Sequence, residues 1–265
     1  MTSTDWLGLA GRTIAITGGA GGIGTAIARA ATAAGAGVVL LDRDGAGCEK
    51  VAKDLRKAGA EALALLCDIA SPDSVAAAAE AAHARVGACD ALVNNAGLLR
   101  PGPLDALSLD EWNAVLSVNL SGYLLCAQAF GAPMRERGKG ALVHIASIAG
   151  SNPQPRSGAY SAAKAGVVLL SQQLAVEWGP HGIRSNTVSP GLVRTPMSEA
   201  FYQAPGVAER RAELVPVKRV ATPADIADVV LFLVSDRAGY VNGIDVLVDG
   251  GLQCMVMELV PRPGY

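Results

Sequence analysis

Short continuous apolar runs alternate with longer amphipathic stretches along the whole chain. Thr13–Thr17 (TIAIT) is apolar and β-branched and leads into a glycine loop. Residues 38–41, Ala62–Leu66, and residues 91–93 and 141–145 repeat that signal, each short enough for a strand covered on both faces. Residues 184–188 and Asp245–Val248 complete the strand set. Helices are predicted between them, with readable ends. Residues 25–34 form one, closed by Gly35, and a second runs to about Ala58 with Gly59 just past its end. Ser71 and Pro72 open a third, and Ser108-Leu-Asp-Glu111 is a capping box ahead of a long helix. A further long helix spans residues 157–178, and Thr222-Pro-Ala-Asp225 caps the last. Alternation of this kind implies parallel strands joined by right-handed crossovers. The expected architecture is α/β, a doubly wound three-layer sandwich around a mainly parallel seven-stranded sheet. No linker, charge block or internal repeat divides it, so residues 1–265 are expected to form one domain. Residues 195–215, broken by Pro196, Pro205 and Gly206, read as a lid, and residues 252–265 as an apolar tail.

Composition narrows the function classes. With 51% hydrophobic and 17% charged residues, the chain has ample material for a core, which excludes disorder. A net charge of −2 argues against a nucleic-acid binder that neutralises phosphates. Mean hydropathy is positive, yet the best membrane candidate, residues 159–176, is interrupted by Tyr160, Ser161, Lys164, Ser171, Gln172 and Gln173. The first six residues have neither a basic region nor an apolar core, so no leader is expected. Cys48, Cys67, Cys89, Cys126 and Cys254 are scattered and unpaired in spacing. They read as buried, reduced side chains in a cytoplasmic protein. His83, His144 and His181 have no metal-type spacing, and no metal is expected.

Candidate chemistry starts at Thr17-Gly-Gly-Ala-Gly-Gly-Ile-Gly24, between the first strand and first helix. Gly18, Gly22 and Gly24 suit a tight turn, close approach of a diphosphate and close helix packing, with the helix N-terminus favouring an anion. This makes the expected sandwich Rossmann-type. Asp42 lies 18 positions past Gly24 at the end of the second strand, where a carboxylate accepts from ribose hydroxyls and repels a 2′-phosphate. NAD is therefore favoured over NADP, with Arg43 as the counter-argument. Asp68 either meets the adenine or caps a turn.

Tyr160 and Lys164 lie four apart and share a helix face. Tyrosine, with a reference pKa of about 10, is a poor base until a nearby ammonium favours the phenolate. In order along the chain stand the glycine loop, Asn94-Asn-Ala-Gly97, Asn119, Ser147, Tyr160-Ser-Ala-Ala-Lys164, Pro190-Gly191 and Asp249-Gly-Gly251. Ser147 and Tyr160 are thirteen positions apart. Together these pieces resemble the short-chain dehydrogenase/reductase family from about residue 9 to residue 253.

The resemblance implies a set of roles. Tyr160 is the acid/base, Lys164 lowers its pKa and binds the nicotinamide ribose, and Ser147 hydrogen-bonds the substrate oxygen. Asn119 holds a water that extends a proton relay from Lys164. Ile23, beside the glycines, with Asn95, Ala96, Gly97, Pro190, Gly191, Val193 and Thr195, lines the cofactor. A homotetramer, or else a homodimer, is implied; separately, the apolar character of the tail leads us to expect it packed on a neighbouring subunit. The substrate cleft is expected to draw on residues 147–155 and 192–197, with Phe201 and Tyr202. Ile148, Pro153, Leu192, Met197 and Phe201 suggest a mainly apolar alcohol or ketone, while Asn152, Gln154 and Arg156 offer polar contacts. The expected activity is reversible NAD-dependent interconversion of a secondary alcohol and a ketone. An NADP-dependent 3-oxoacyl reductase and a catalytically silent NAD-binding sensor are the alternatives.

Overall fold

The computed structural model describes residues 6–260. Its strands are β1 (Thr13–Thr17), β2 (Gly37–Asp42), β3 (Ala62–Leu66), β4 (Ala91–Asn94), β5 (Gly140–Ile145), β6 (Ile183–Pro190) and β7 (Asp245–Val248). All pair in parallel in one sheet ordered β3-β2-β1-β4-β5-β6-β7. The period-two alternation of each strand sends its side chains to opposite faces. Ile14 and Ile16 of β1 join a core with α1 (Gly22–Ala33), α2 (Gly45–Lys57) and α8 (Pro223–Val234). Ala15 faces the other core, built from α3 (Pro72–Val86), α5 (Gly122–Arg137) and α6 (Tyr160–Trp178). Helices thus cover both faces, which is why the central strands are apolar on both sides. Strand order reverses between β1 and β4, so a crevice opens beyond the carboxyl ends of those strands.

The predicted caps form. Ser71 accepts from the Ser74 N–H with Pro72 in the first turn of α3. Ser108 and Glu111 cap α4 (Leu109–Leu116), and Thr222 and Asp225 cap α8 reciprocally. Other boundaries move. The first helix starts at Gly22, three residues before the expected 25. The helix expected over residues 157–178 starts at Tyr160, because Ser157 forms an isolated bridge with Gly102 that holds it extended. A π turn, Ser117–Ser121, joins α4 to α5. The resulting stretch Leu109–Arg137 is long and apolar enough to cross a membrane by length and composition, which the sequence pattern had not singled out. Its Tyr123, Cys126, Phe130 and Met134 are fully buried against the sheet.

One expectation about exposure needs correction. Cys254 is exposed, whereas the other four cysteines are buried, and all five are free. The tail forms a 3₁₀ segment, Leu252–Leu259, in which Val256 and Met257 are exposed on the single chain. Its last five residues, 261–265, lie outside the described residues. The expected lid resolves into a short 3₁₀ turn, Glu199–Tyr202, and α7 (Val207–Leu214).

Candidate active site

One cleft of about 400 Å³ runs across the carboxyl ends of the strands. At one end the glycine loop leaves β1. Gly18 has φ +67°, and a Cβ there would stand 2.8 Å from the Ala96 Cα. A Cβ on Gly24 would meet the Gly18 carbonyl oxygen at 2.1 Å, so this glycine lets α1 pack onto the loop. Gly22 has a different neighbour from the one expected for a diphosphate contact alone. A Cβ there would lie 2.9 Å from the Pro196 ring, at the root of the lid.

No side chain caps α1 and its first turn holds no acid, so its leading N–H groups face the cleft without a carboxylate competitor. An anion fits that terminus. The loop is locked from below: the Asn95 amide donates to the Thr17 carbonyl at 2.9 Å and the Gly18 carbonyl at 3.2 Å. The Asn95 and Ala96 N–H groups both donate to the Thr17 hydroxyl. Asp42, ending β2, accepts from the Ala20 N–H at 3.1 Å and the Asp44 N–H at 3.0 Å. Its carboxylate is thereby fixed beside the loop, with acceptor capacity left for hydroxyls. Asp68 lines the cleft and accepts from the Ala70 N–H at 3.0 Å, the turn use weighed for it.

Gly18, Gly22, Ile23, Asp42, Asp68, Asn95, Ala96, Gly97, Pro190, Gly191, Val193 and Thr195 all line this cleft, as do Ser147, Tyr160 and Lys164. Gly24 and Asn119 stand behind it. A nicotinamide dinucleotide therefore fits the residues present: a cradle that a Cβ would fill, an uncapped helix N-terminus and a fixed carboxylate at the far end.

At the opposite end, Ser147 follows β5 and Tyr160 and Lys164 occupy the first turns of α6. Lys164 is 3% exposed. Its ammonium donates to the Ile145 carbonyl at 2.7 Å and to the Tyr123 hydroxyl at 3.2 Å, and lies 5.0 Å from the centre of the Tyr123 ring. It is 5.7 Å from the centre of the Tyr160 ring. Burial pulls its pKa from 10.5 down to about 7. Burial likewise raises the Tyr160 phenol above its usual value, while a hydrogen bond from Ser147 works in the opposite direction. Lys164 thus donates to the Tyr123 hydroxyl while its ammonium stands over the Tyr160 ring.

Asn119 sits in the π turn, fully buried. Its amide donates to the Leu98 carbonyl at 2.7 Å and its carbonyl accepts from the Leu98 N–H at 2.8 Å. The side chain thus clamps the segment after β4 that carries Ala96 and Gly97. Of the residues expected to shape the substrate, Gln154, Leu192, Met197, Phe201 and Tyr202 line the cleft. Ile148, Asn152, Pro153 and Arg156 do not. Two contributors were missed from the sequence. Tyr123 reads there as one more core aromatic, and Arg211 as one of several charges on a surface helix. His144 is a core histidine, hydrogen-bonded to Asn94 and Ser185 and held neutral by burial.

The fold and this cleft define a dinucleotide-dependent oxidoreductase. Residues 18–253 match the family described as enoyl-(acyl carrier protein) reductase. D-threitol dehydrogenase of Mycolicibacterium smegmatis is 41% identical over 92% of this chain and 93% of its own. The 2-(S)-hydroxypropyl-CoM dehydrogenase 3 of Xanthobacter autotrophicus is 40% identical over 90% of this chain and 95% of its own. The crystal structure of a gluconate 5-dehydrogenase from Burkholderia cenocepacia, in complex with NADP and tartrate, superposes with a TM-score of 0.91. It is 35% identical and covers 96% of this chain and all of its own. The chain belongs to the short-chain dehydrogenase/reductase family of NAD(P)-dependent oxidoreductases.

Proposed function

We propose that this protein reversibly oxidises a secondary alcohol to a ketone, with Tyr160 as acid/base and NAD as the preferred dinucleotide. The observation that carries the proposal is the single cleft joining Ser147, Tyr160 and Lys164 to the uncapped α1 terminus and Asp42. The dinucleotide, when bound, supplies hydride acceptance in one direction and donation in the other. Gly18, Ile23 and the α1 N–H groups hold its diphosphate, and Asn95, Ala96, Gly97, Pro190, Gly191, Val193 and Thr195 line its path. Ser147 donates a hydrogen bond to the substrate oxygen and stabilises charge that builds there. The Tyr160 oxygen takes the alcohol proton or returns one to the ketone oxygen. Lys164 supplies the positive charge that makes a phenolate accessible, moving from Tyr123 towards Tyr160 and the ribose. Asn119 keeps the Leu98 segment in place, and a water held near it would extend the relay beyond Lys164.

The preference for NAD is supported by Asp42, whose fixed carboxylate repels a 2′-phosphate; Arg43, also on the cleft wall, pulls the other way. Homotetramer assembly is supported by apolar side chains left exposed on α6 (Leu169, Val176) and on edge strand β7 (Leu247). The free cysteines suit a reducing, cytoplasmic setting.

The test is initial-rate absorbance of the reduced dinucleotide across secondary alcohols, with NAD and NADP in parallel. Turnover of simple alcohols with NAD supports the proposal. Turnover with NADP on carrier-linked 3-oxoacyl groups alone points to the 3-oxoacyl reductase alternative. Tight NAD binding with no turnover on any substrate points to a sensor.

A further inference from the structure

The charged side chains along the cleft are not evenly spread. Its acids, Asp42 and Asp68, both stand at the ends of β2 and β3, in the half assigned to the adenosine. The other half holds Lys164 and Arg211, and among the described residues no carboxylate lines it. Two arginines stand near this region, Arg194 just before the lid and Arg211 within it, and they differ. Arg194 is matched, donating to both carboxylate oxygens of Glu199 at 3.0 and 2.7 Å. Arg211 makes no ion pair among the described residues. Its guanidinium lies instead over the rings of Tyr202 and Phe201, at 4.7 and 5.4 Å from their centres. Stacking of that kind fixes the plane of the guanidinium while leaving its N–H edge available. Beside it, Tyr202 is only 7% exposed and lines the cleft, yet its hydroxyl has no hydrogen-bond partner among the described residues. An unsatisfied buried hydroxyl next to an unpaired guanidinium is the donor set an oxyanion would complete.

We infer that Arg211 and the Tyr202 hydroxyl form a subsite for an anionic group, a carboxylate or similar oxyanion, carried by the alcohol substrate. The inference rests on the alcohol–ketone reading of the same cleft and replaces the expected mainly apolar substrate with a hydroxy acid. Phe201, Met197 and Leu192 then pack the carbon chain between the reacting carbon and the anion. The lid carries the subsite, so binding of the anion draws α7 onto the cleft.

The experiment compares 4-hydroxypentanoate with 5-methyl-2-hexanol, which replaces the carboxylate by a neutral group of similar shape. The wild type, Arg211→Gln, Arg211→Lys and Tyr202→Phe are assayed with NAD. The wild type is expected to favour the acid, and Arg211→Gln to lower the acid-over-alcohol ratio of kcat/KM by about 10-fold or more, mainly through KM. Arg211→Lys should restore part of that ratio, because the charge returns without the fork. Calorimetric titration of succinate onto wild type and Arg211→Gln in the presence of NAD reads the subsite without turnover, with an expected weakening of about 10-fold. A wild type that prefers the neutral alcohol, or a ratio and a succinate affinity unmoved by Arg211→Gln, overturns the subsite. Equal losses on both alcohols would reassign Arg211 to latching the lid. If succinate binding responds to Arg211 but no alcohol is oxidised, the subsite stands and the alcohol–ketone reading fails.

Discussion

Replacing Lys164 by methionine removes a buried cation while keeping the length of its side chain. Desolvation lowers the pKa of this lysine from 10.5 to about 7 in the folded protein. The unfolded chain therefore holds the proton more tightly, and stability rises with pH between those two values. Below the folded value the destabilisation is at its full size. At roughly 1.4 kcal/mol per pH unit, it is several kcal/mol at pH 6.5 and about 1 kcal/mol at pH 9.5. The substitution also removes hydrogen bonds to Ile145 and Tyr123. That loss is softened because the Tyr123 hydroxyl already donates to the Ile145 carbonyl at 3.2 Å. We expect Lys164→Met to be more stable than the wild type by about 2–4 kcal/mol at pH 6.5, which raises Tm by about 5–10 °C. The advantage should shrink by about 3 kcal/mol at pH 9.5. Urea titrations of both proteins at the two pH values measure this difference directly, and the variant should be inactive. A less stable variant, or an advantage that ignores pH, would refute the desolvation argument.

Two further substitutions separate neighbouring roles. Tyr123→Phe keeps the ring near Lys164 but removes the hydroxyl that accepts from its ammonium at 3.2 Å. The lysine pKa should fall further, moving the alkaline limb of the kcat–pH profile down by about one unit; an unmoved limb leaves Tyr123 no part in positioning the charge. Asp42→Asn keeps an acceptor for the Ala20 N–H but removes the charge facing a 2′-phosphate. The NAD-over-NADP ratio of kcat/KM should drop by about 10–100-fold, and a constant ratio would move the selectivity elsewhere, with Arg43 the first candidate.

Much of the fold was legible because strand and helix signals agreed locally. Ser71 with Pro72, Ser108 with Glu111, and Thr222 with Asp225 announce helix starts through chemistry that acts over three residues, and all three caps form. What failed was set by contacts distant in sequence. Ser157 reads as the start of a helix until Gly102 pairs with it. The site shows the same division. Residues of the glycine loop and the Tyr-Lys pair stand in short motifs and converge on one cleft. Tyr123 carries no motif, and its contact with Lys164 arises only when α5 and α6 pack side by side. Arg211 is one of two adjacent arginines on α7, and only the folded lid shows which of them lines the cleft. Asn152 and Arg156, close to Ser147 in sequence, were expected at the substrate, yet of that segment Gln154 is the residue on the cleft wall.

The central claim is that Tyr160 moves the proton in alcohol–ketone interconversion at this cleft. Its most direct test is the initial rate of NADH formation on the best alcohol, comparing wild type with Tyr160→Phe, alongside NADH affinity by fluorescence titration. We predict a rate about 100- to 10,000-fold lower in the variant with NADH binding retained. Equal rates in the two proteins would contradict the account.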